Sequence, residues 1–281
     1  MRLVRYLTIS VAILALTPVT AMHAAAQTPV SHVVLIVDEN KTYNKVVSST
    51  CCPFIQSMIA SGVLATDDHA ITSGSVHDYY ALTDGDTTNQ NGKAENLFHQ
   101  LQTAGISWRA YEETMPYPCY TGSSYGTAPD VYVKGHDPAV SYSDIKKNAA
   151  ACANVVPLES SLPGDIASGS LPAFSFITPN ECDDMHSCTA TQGDSWLSTW
   201  VPQIASAIGP DGVILLTWDE GDLSTQHVPL VEYGPGIAGA GLAGTTYDSR
   251  LDHYGVLAGM EDNWGLPRIN HAIGAPPLPL P

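Results

Sequence analysis

Basic side chains are scarce in this sequence: 11 Lys and Arg stand against 28 Asp and Glu, a formal net charge of −17. Such a surface repels phosphate backbones and acidic headgroups, which excludes a general affinity for nucleic acid or anionic membranes. Solubility accounts for much of that charge, but clustered carboxylates also bind cations. Long apolar runs are equally rare. "YLTISVAILAL" follows Arg2 and Arg5 near the N-terminus, is too short for a comfortable span, and no later stretch reaches membrane length. It closes with "AMHAAAQ", so residues 1–26 read as a signal peptide cut after Ala26. The expectation is a secreted or periplasmic protein with no stable membrane insertion. Internal repeats and domain-separating linkers are missing too. The remaining residues, 27–281, suit a single large domain.

All six cysteines fall after the leader, which fits an oxidising compartment. Cys182 and Cys188 form an easy local pair. Cys119 with Cys152 would tie down the middle of the chain, leaving Cys51 and Cys52 for a vicinal bridge or other partners. Spacing does not fix this connectivity.

Apolar runs that end in charge alternate with amphipathic stretches. "HVVLIVDEN", "ISWRAYEE", "AFSFITPN", "GVILLTWDEGD" and "HVPLVEYGPG" read as strands. "PFIQSMIASG", "SVHDYYALTDG", "KAENLFHQLQTAG", "DSWLSTWVPQIASAIG" and "DHYGVLAGMEDNWG" read as helices. The alternation predicts an α/β fold with a mostly parallel sheet covered on both faces. Residues 115–160, rich in Pro, Tyr, Gly and Ser, read as a loop-rich insertion or lid.

Three strands place acids just beyond their carboxyl ends. "VVLIV" runs into Asp38, Glu39 and Asn40, "VILLTW" into Asp219 and Glu220, and "FSFIT" into Asp183, Asp184 and His186. That edge of an open parallel sheet is where ligands bind. In "PNECDDMHSC" two acids and an imidazole lie between two cysteines, so the loop reads either as a metal site or as a stapled polar surface loop. Glu39, Asp184, His186, Asp219 and Glu220 supply enough ligands for one divalent ion or two. The donor set suits zinc or manganese and tolerates calcium or magnesium. His227 or His253 could complete it, against the ordinary alternative of a structural histidine. Ser75 follows a glycine and opens a helix, where a serine can attack phosphorus or can simply cap.

Two competing motifs are weaker. "GSSYG" matches the nucleophile elbow of serine esterases around Ser124, but it lacks the buried strand before and the helix after. Asp84, Asp86 and Glu95 have calcium-loop spacing, with Asn89 where the loop needs glycine.

The ordered series of blocks resembles a known family. "HVVLIVDENKTYNKVV", "AITSGSVHDYYALTDG", "VKGHDPAVSY", "FSFITPNECDDMHSC", "VILLTWDEGD" and "LDHYGVLAGMEDNWGLP" are similar to segments of the bacterial phosphoesterase family. That family includes secreted acid phosphatases and phospholipases C within the alkaline phosphatase superfamily. The resemblance implies a three-layer α/β/α sandwich and a divalent-metal-dependent hydrolase acting on a small phosphorylated substrate. A phosphomonoesterase is expected before a phospholipase C-type diesterase. Ser75 would be the nucleophile, and Glu39, Asp184, His186, Asp219, Glu220 and His227 or His253 would surround the metal. Asn40 and His136 would face substrate, and Asp183 would support the ligands.

One departure marks the nucleophile segment. Ser73-Gly74 stands where the family has His-Pro, and His77-Asp78 where it has Pro-Asn. His77 is a candidate replacement for the missing imidazole. A non-catalytic binding protein on the same fold is the non-enzyme alternative that this departure favours.

Overall fold

The computed structural model describes Met1 and residues 29–281, so the leader reading lies outside the described residues apart from Met1. Among the described residues eleven strands form in chain order: β1 (Val33–Asp38), β2 (Val63–His69), β3 (Trp108–Glu112), β4 (Ser124–Thr127), β5 (Asp130–Val133), β6 (Val155–Pro157), β7 (Phe174–Thr178), β8 (Val213–Trp218), β9 (His227–Tyr233), β10 (Thr245–Tyr247) and β11 (Leu251–Asp252). Nine of them make one sheet in the order β10-β2-β9-β8-β1-β7-β3-β6, with β11 also on β2. Within that sheet only β9 runs antiparallel to its neighbours.

The central strands are continuous apolar runs because both faces of the sheet are covered. On β1, Val33, Leu35 and Val37 enter one core with helices Ser75–Asp84, Leu97–Ala104 and His253–Asn263. Val34 and Ile36 enter the other with Pro53–Ser61, Leu158–Ser168 and Ala190–Ala207. Two cores separated by one sheet make the expected three layers.

Three features go beyond the sequence pattern. β2 forms from "VLATDDH", whose acidic end hides its apolar start, and the short β10 and β11 extend that side of the sheet. Within 115–160, β4 and β5 form a separate hairpin, while β6 returns to the main sheet beside β3. The three disulfides are Cys51–Cys52, Cys119–Cys152 and Cys182–Cys188. No helix among the described residues is long and apolar enough to cross a membrane.

Candidate active site

The three acid-bearing strands are adjacent: β8, β1 and β7 lie side by side in parallel. Main-chain bonds continue past their ends. The Glu39 amide donates to the Asp184 carbonyl (2.7 Å), and the Asp219 amide donates to the Asp38 carbonyl (2.9 Å). The acids therefore meet on a rigid edge. Asn40 takes a left-handed turn there (φ 53°), which asparagine tolerates better than most residues, and its amide donates to Asp219 Oδ1 (3.1 Å).

Ser75 opens helix Ser75–Asp84, and its hydroxyl donates to Glu39 Oε2 at 3.1 Å. Asp78 shapes the approach to that helix. It accepts from the Ile71 and Thr72 amides (2.8 and 3.0 Å) and from the Thr72 hydroxyl (2.6 Å). The carboxylate that replaces the family's asparagine is thus committed to its own loop. His77 is exposed, with Nδ1 2.6 Å from the Thr87 carbonyl.

His136, buried, lies between two acids: Nε2 is 3.3 Å from Glu39 Oε1 and Nδ1 is 3.5 Å from Asp184 Oδ2. Potential ligand atoms of Glu39, His136 and Asp184 all lie within 4.8 Å of one another. The imidazole expected to face substrate therefore sits among candidate ligands.

Asp184 is held by its loop. Its amide donates to the Asn180 carbonyl (2.8 Å), and its Oδ1 accepts from the His186 amide (2.7 Å). The Cys182–Cys188 bridge closes this segment, and Lys41 Nζ donates to the Met185 carbonyl (2.6 Å). The His186 ring lies at the rim, its centroid 5.9 Å from that of His136, with Nδ1 3.2 Å from the Ser187 hydroxyl.

Other candidates occupy different places. Asp183 turns to Gln192, which donates to it at 2.8 Å. His227 Nε2–H donates to the Thr66 carbonyl (3.0 Å), and its ring stacks on Tyr43 (4.4 Å between centroids) and His69 (5.1 Å). Burial lowers its pKa. His253 is fully buried and its Nε2–H donates to the Asp219 carbonyl (2.6 Å), fixing the chain that carries Asp219 and Glu220. Ser124 lies on an exposed strand of the separate hairpin, with no helix after it. Asp84 accepts from the Tyr142 hydroxyl and the Asp86 amide, a local turn.

The site fits a divalent cation on its own chemistry. Asn40 Oδ1, Asp219 Oδ2 and Glu220 Oε2 are buried without a hydrogen-bond partner, and Glu39 Oε1 and Asp184 Oδ2 are buried with only the His136 nitrogens close by, in no well-formed hydrogen bond. Burial raises the pKa of Glu39 well above normal, and the charges of Asp219 and Asp184 push it further. Burial likewise raises Asp184, with His136 opposing. Glu220 is pushed up to about 7 by burial and then by Asp219 and Asp78. Ionised oxygens crowded this closely need a counter-charge. Glu220, Asn40 and Ser73 also line an open cleft of about 240 Å³ with Gly221, Asp222 and Leu223.

Sequence reasoning misses Lys41 and Tyr79. Lys41 follows the Glu39-Asn40 pair directly, but a half-buried lysine next to acids has no distinguishing spacing. Tyr79 lies one turn beyond Ser75 with its ring flat against His136 (5.4 Å between centroids, 8° between planes).

Comparisons with known proteins converge. A family model described as "Phosphoesterase family" matches residues 65–267. A phosphatidylinositol-3-phosphatase of Mycobacterium tuberculosis is 31% identical over 271 residues, spanning 93% of this chain and 86% of that protein. An acid phosphatase of Aspergillus fumigatus is 32% identical over 75% of this chain, and a phosphate-repressible acid phosphatase of Penicillium chrysogenum 30% over 76%. The chain spans about half the length of these two fungal relatives, 50% and 55%. Among solved structures, an alkaline phosphatase superfamily protein of Vibrio parahaemolyticus aligns with TM-score 0.60 and 12% identity over 89% of this chain and 71% of that one. Murine ectonucleotide pyrophosphatase/phosphodiesterase 5 aligns with TM-score 0.57 and 9% identity over 86% of this chain and 96% of that one. At these identities the structures speak to the fold, which is that of the superfamily.

Proposed function

The chain belongs to the phosphoesterase family, and from that premise we propose that it is an exported, metal-dependent phosphomonoesterase acting through Ser75. Hydrolysis of phosphoric esters is the activity the family match and the phosphatase relatives support together. One observation carries the finer reading: the Ser75 hydroxyl, at the mouth of a helix, donates to Glu39, which stands on the strand edge that holds the buried acids.

In this reading Ser75 attacks phosphorus and the ester oxygen departs, leaving a phosphoserine that water then cleaves. Glu39 Oε2 already accepts the serine hydrogen, so the proton has a destination when the hydroxyl becomes a nucleophile. Ser75 stands at the N-terminus of helix Ser75–Asp84, whose dipole favours the phosphoryl charge. His136 has the reach to exchange a proton with Glu39 or Asp184, and the leaving oxygen is the group it would serve. Asn40 is oriented by its left-handed turn for substrate or metal. Glu39, His136 and Asp184, flanked by Asp219, Glu220 and Asn40, would hold zinc, manganese, magnesium or calcium. The ion supplies charge neutralisation at the phosphoryl oxygens. His186 stands next to this set at the rim, and His253 supports it through the main chain.

The relatives named phosphatases support monoesters over diesters, and a phosphorylated inositol lipid is one ester within that class. Export, removal of residues 1–26 and a single domain over 27–281 belong to the same reading. Three disulfides suit an oxidising compartment. The decisive test is hydrolysis of p-nitrophenyl phosphate and bis-p-nitrophenyl phosphate by chelator-treated protein after each metal is added back. Metal-restored monoester turnover that Ser75→Ala abolishes and Ser124→Ala preserves is expected. Faster diester turnover would transfer the reading to a phospholipase C-type enzyme. Metal binding without turnover would make it a non-catalytic binding protein, as the Ser73-Gly74 departure allows.

A further inference from the structure

We propose that Tyr79 contacts substrate directly, its phenol hydroxyl donating a hydrogen bond to a phosphoryl oxygen of the ester held at Ser75. The proposal deepens the Ser75 reading and rests on it. Tyr79 is four residues after Ser75 in helix Ser75–Asp84, so both side chains project from one face of that helix. Its side chain is fully buried, and the hydroxyl has no hydrogen-bond partner. A buried hydroxyl left unsatisfied costs free energy that phenylalanine at the same place would not incur. The ring is already well packed, flat on His136 and tilted against Phe176 (6.2 Å). Packing therefore accounts for the ring but not for the oxygen.

The surroundings say what that oxygen is for. The His136 ring on which the phenol lies has its nitrogens 3.3 Å from Glu39 Oε1 and 3.5 Å from Asp184 Oδ2, which places Tyr79 beside the acidic constellation. Glu39 is near enough to act on it, yet the geometry of a hydrogen bond between them is not met. A phenol carries its proton at neutral pH, so it remains a donor. A phosphoryl group presents acceptors only, while the unpartnered carboxylate oxygens around it are acceptors too when ionised. Uncommitted hydroxyl and ammonium donors are thus scarce in this site. Lys41, the nearest cation of the strand-end segment, is bonded to the Met185 carbonyl, and the Ser75 hydrogen goes to Glu39. The Tyr79 hydroxyl is a donor beside Glu39 that no well-formed hydrogen bond yet holds.

Tyr79→Phe isolates the hydroxyl because the ring can still stack on His136. Two quantities are read on metal-supplemented protein: the calorimetric Kd for inorganic phosphate and the melting temperature without phosphate. The Kd is expected to rise about ten-fold, as for loss of a hydrogen bond to a charged group, with a parallel loss in kcat/KM for p-nitrophenyl phosphate. The melting temperature should stay equal or rise, since an unsatisfied buried polar atom has been removed. An unchanged Kd, or a lower melting temperature in the variant, would overturn the proposal by marking the hydroxyl as bystander or structural. Phosphate binding that weakens in Tyr79→Phe while Ser75→Ala leaves turnover intact would sustain Tyr79 and overturn only the nucleophile. A wild-type protein that binds no phosphate would overturn both.

Discussion

The Ser75 hydroxyl donates to Glu39 Oε2 at 3.1 Å, joining the first residue of one helix to the residue just past strand β1. The two are 36 positions apart and meet because the helix mouth and the strand end face the same edge of the sheet. Glu39 thus has separate tasks for its two oxygens, one for the serine and one toward His136.

Glu39→Gln keeps the size and an acceptor but removes the charge from both oxygens. Monoester turnover should fall by about two orders of magnitude or more, the scale of losing a general base and its electrostatics together. Initial rates on p-nitrophenyl phosphate check this. A loss under about three-fold would remove Glu39 from the mechanism. The melting temperature of the metal-free variant should rise, because a buried carboxyl with a strongly raised pKa has been neutralised.

Metal should stabilise the folded chain in proportion to its occupancy. A cation that binds only the folded form at a hundred times its Kd adds about 2.7 kcal/mol, read as a rise in melting temperature on titration. The rise should shrink as pH falls, as protons compete for carboxylates whose pKa values are raised, Glu220 to about 7. Asp184→Asn should abolish most of it at any pH. Equal shifts in wild type and Asp184→Asn would place the ion elsewhere.

Much of this edge is legible in the sequence. The apolar runs leading to Glu39, Asp184 and Asp219 point to a shared site because three strands together carry acids beyond the carboxyl edge, where a parallel sheet binds ligands; that the strands are neighbours is seen only in the structure. The short loop makes Cys182 and Cys188 an easy local pair, and the structure bridges them, although spacing leaves the connectivity open. His136 illustrates what pattern does not carry. It sits after a hairpin in a stretch without periodicity, and only the three-dimensional return of that stretch puts it between Glu39 and Asp184. His227 shows the reverse. Close spacing to "TWDEGD" suggests a ligand, yet antiparallel β9 brings it beside His69 and Tyr43 instead. β2 is hard to see in the sequence because the last four of its seven residues are polar or charged, Asp68 among them fully buried.

Glu232 gives a stability prediction away from the site. It is buried on β9, and desolvation alone pushes its pKa up to about 8. In the unfolded chain it titrates near the ordinary value of about 4.3. The folded form therefore holds a proton that the unfolded form has lost between those limits. Stability from this group is full below the unfolded pKa and declines as pH rises to about 8, then stays level. Glu232→Gln mimics the protonated form. Its melting temperature should match wild type near pH 4 and exceed it by several degrees at pH 8, where on the order of 1–2 kcal/mol shifts a protein of this size that far. Parallel melting curves for the two proteins from about pH 4 to 8 would contradict the assignment.

Gly193 links the long helix Ala190–Ala207 to the Asp184 loop. A Cβ built there would lie 2.5 Å from Met185 Cγ and 2.7 Å from the Asp183 carbonyl oxygen. The methionine can move, but the carbonyl belongs to the main chain immediately before Asp184. Alanine favours a helix interior over glycine by about 1 kcal/mol, so on an open helix the exchange would stabilise. Here the backbone contact decides the sign, and the helix and loop must separate by several tenths of an ångström. Gly193→Ala is expected to lower the melting temperature and to weaken metal binding about ten-fold, because the displaced loop carries Asp184. Stability and metal affinity should therefore fall together, which a purely local helix defect would not produce. A variant that melts at or above the wild-type temperature with unchanged metal affinity would show that the loop yields freely, and that its geometry is not what holds Asp184 in place.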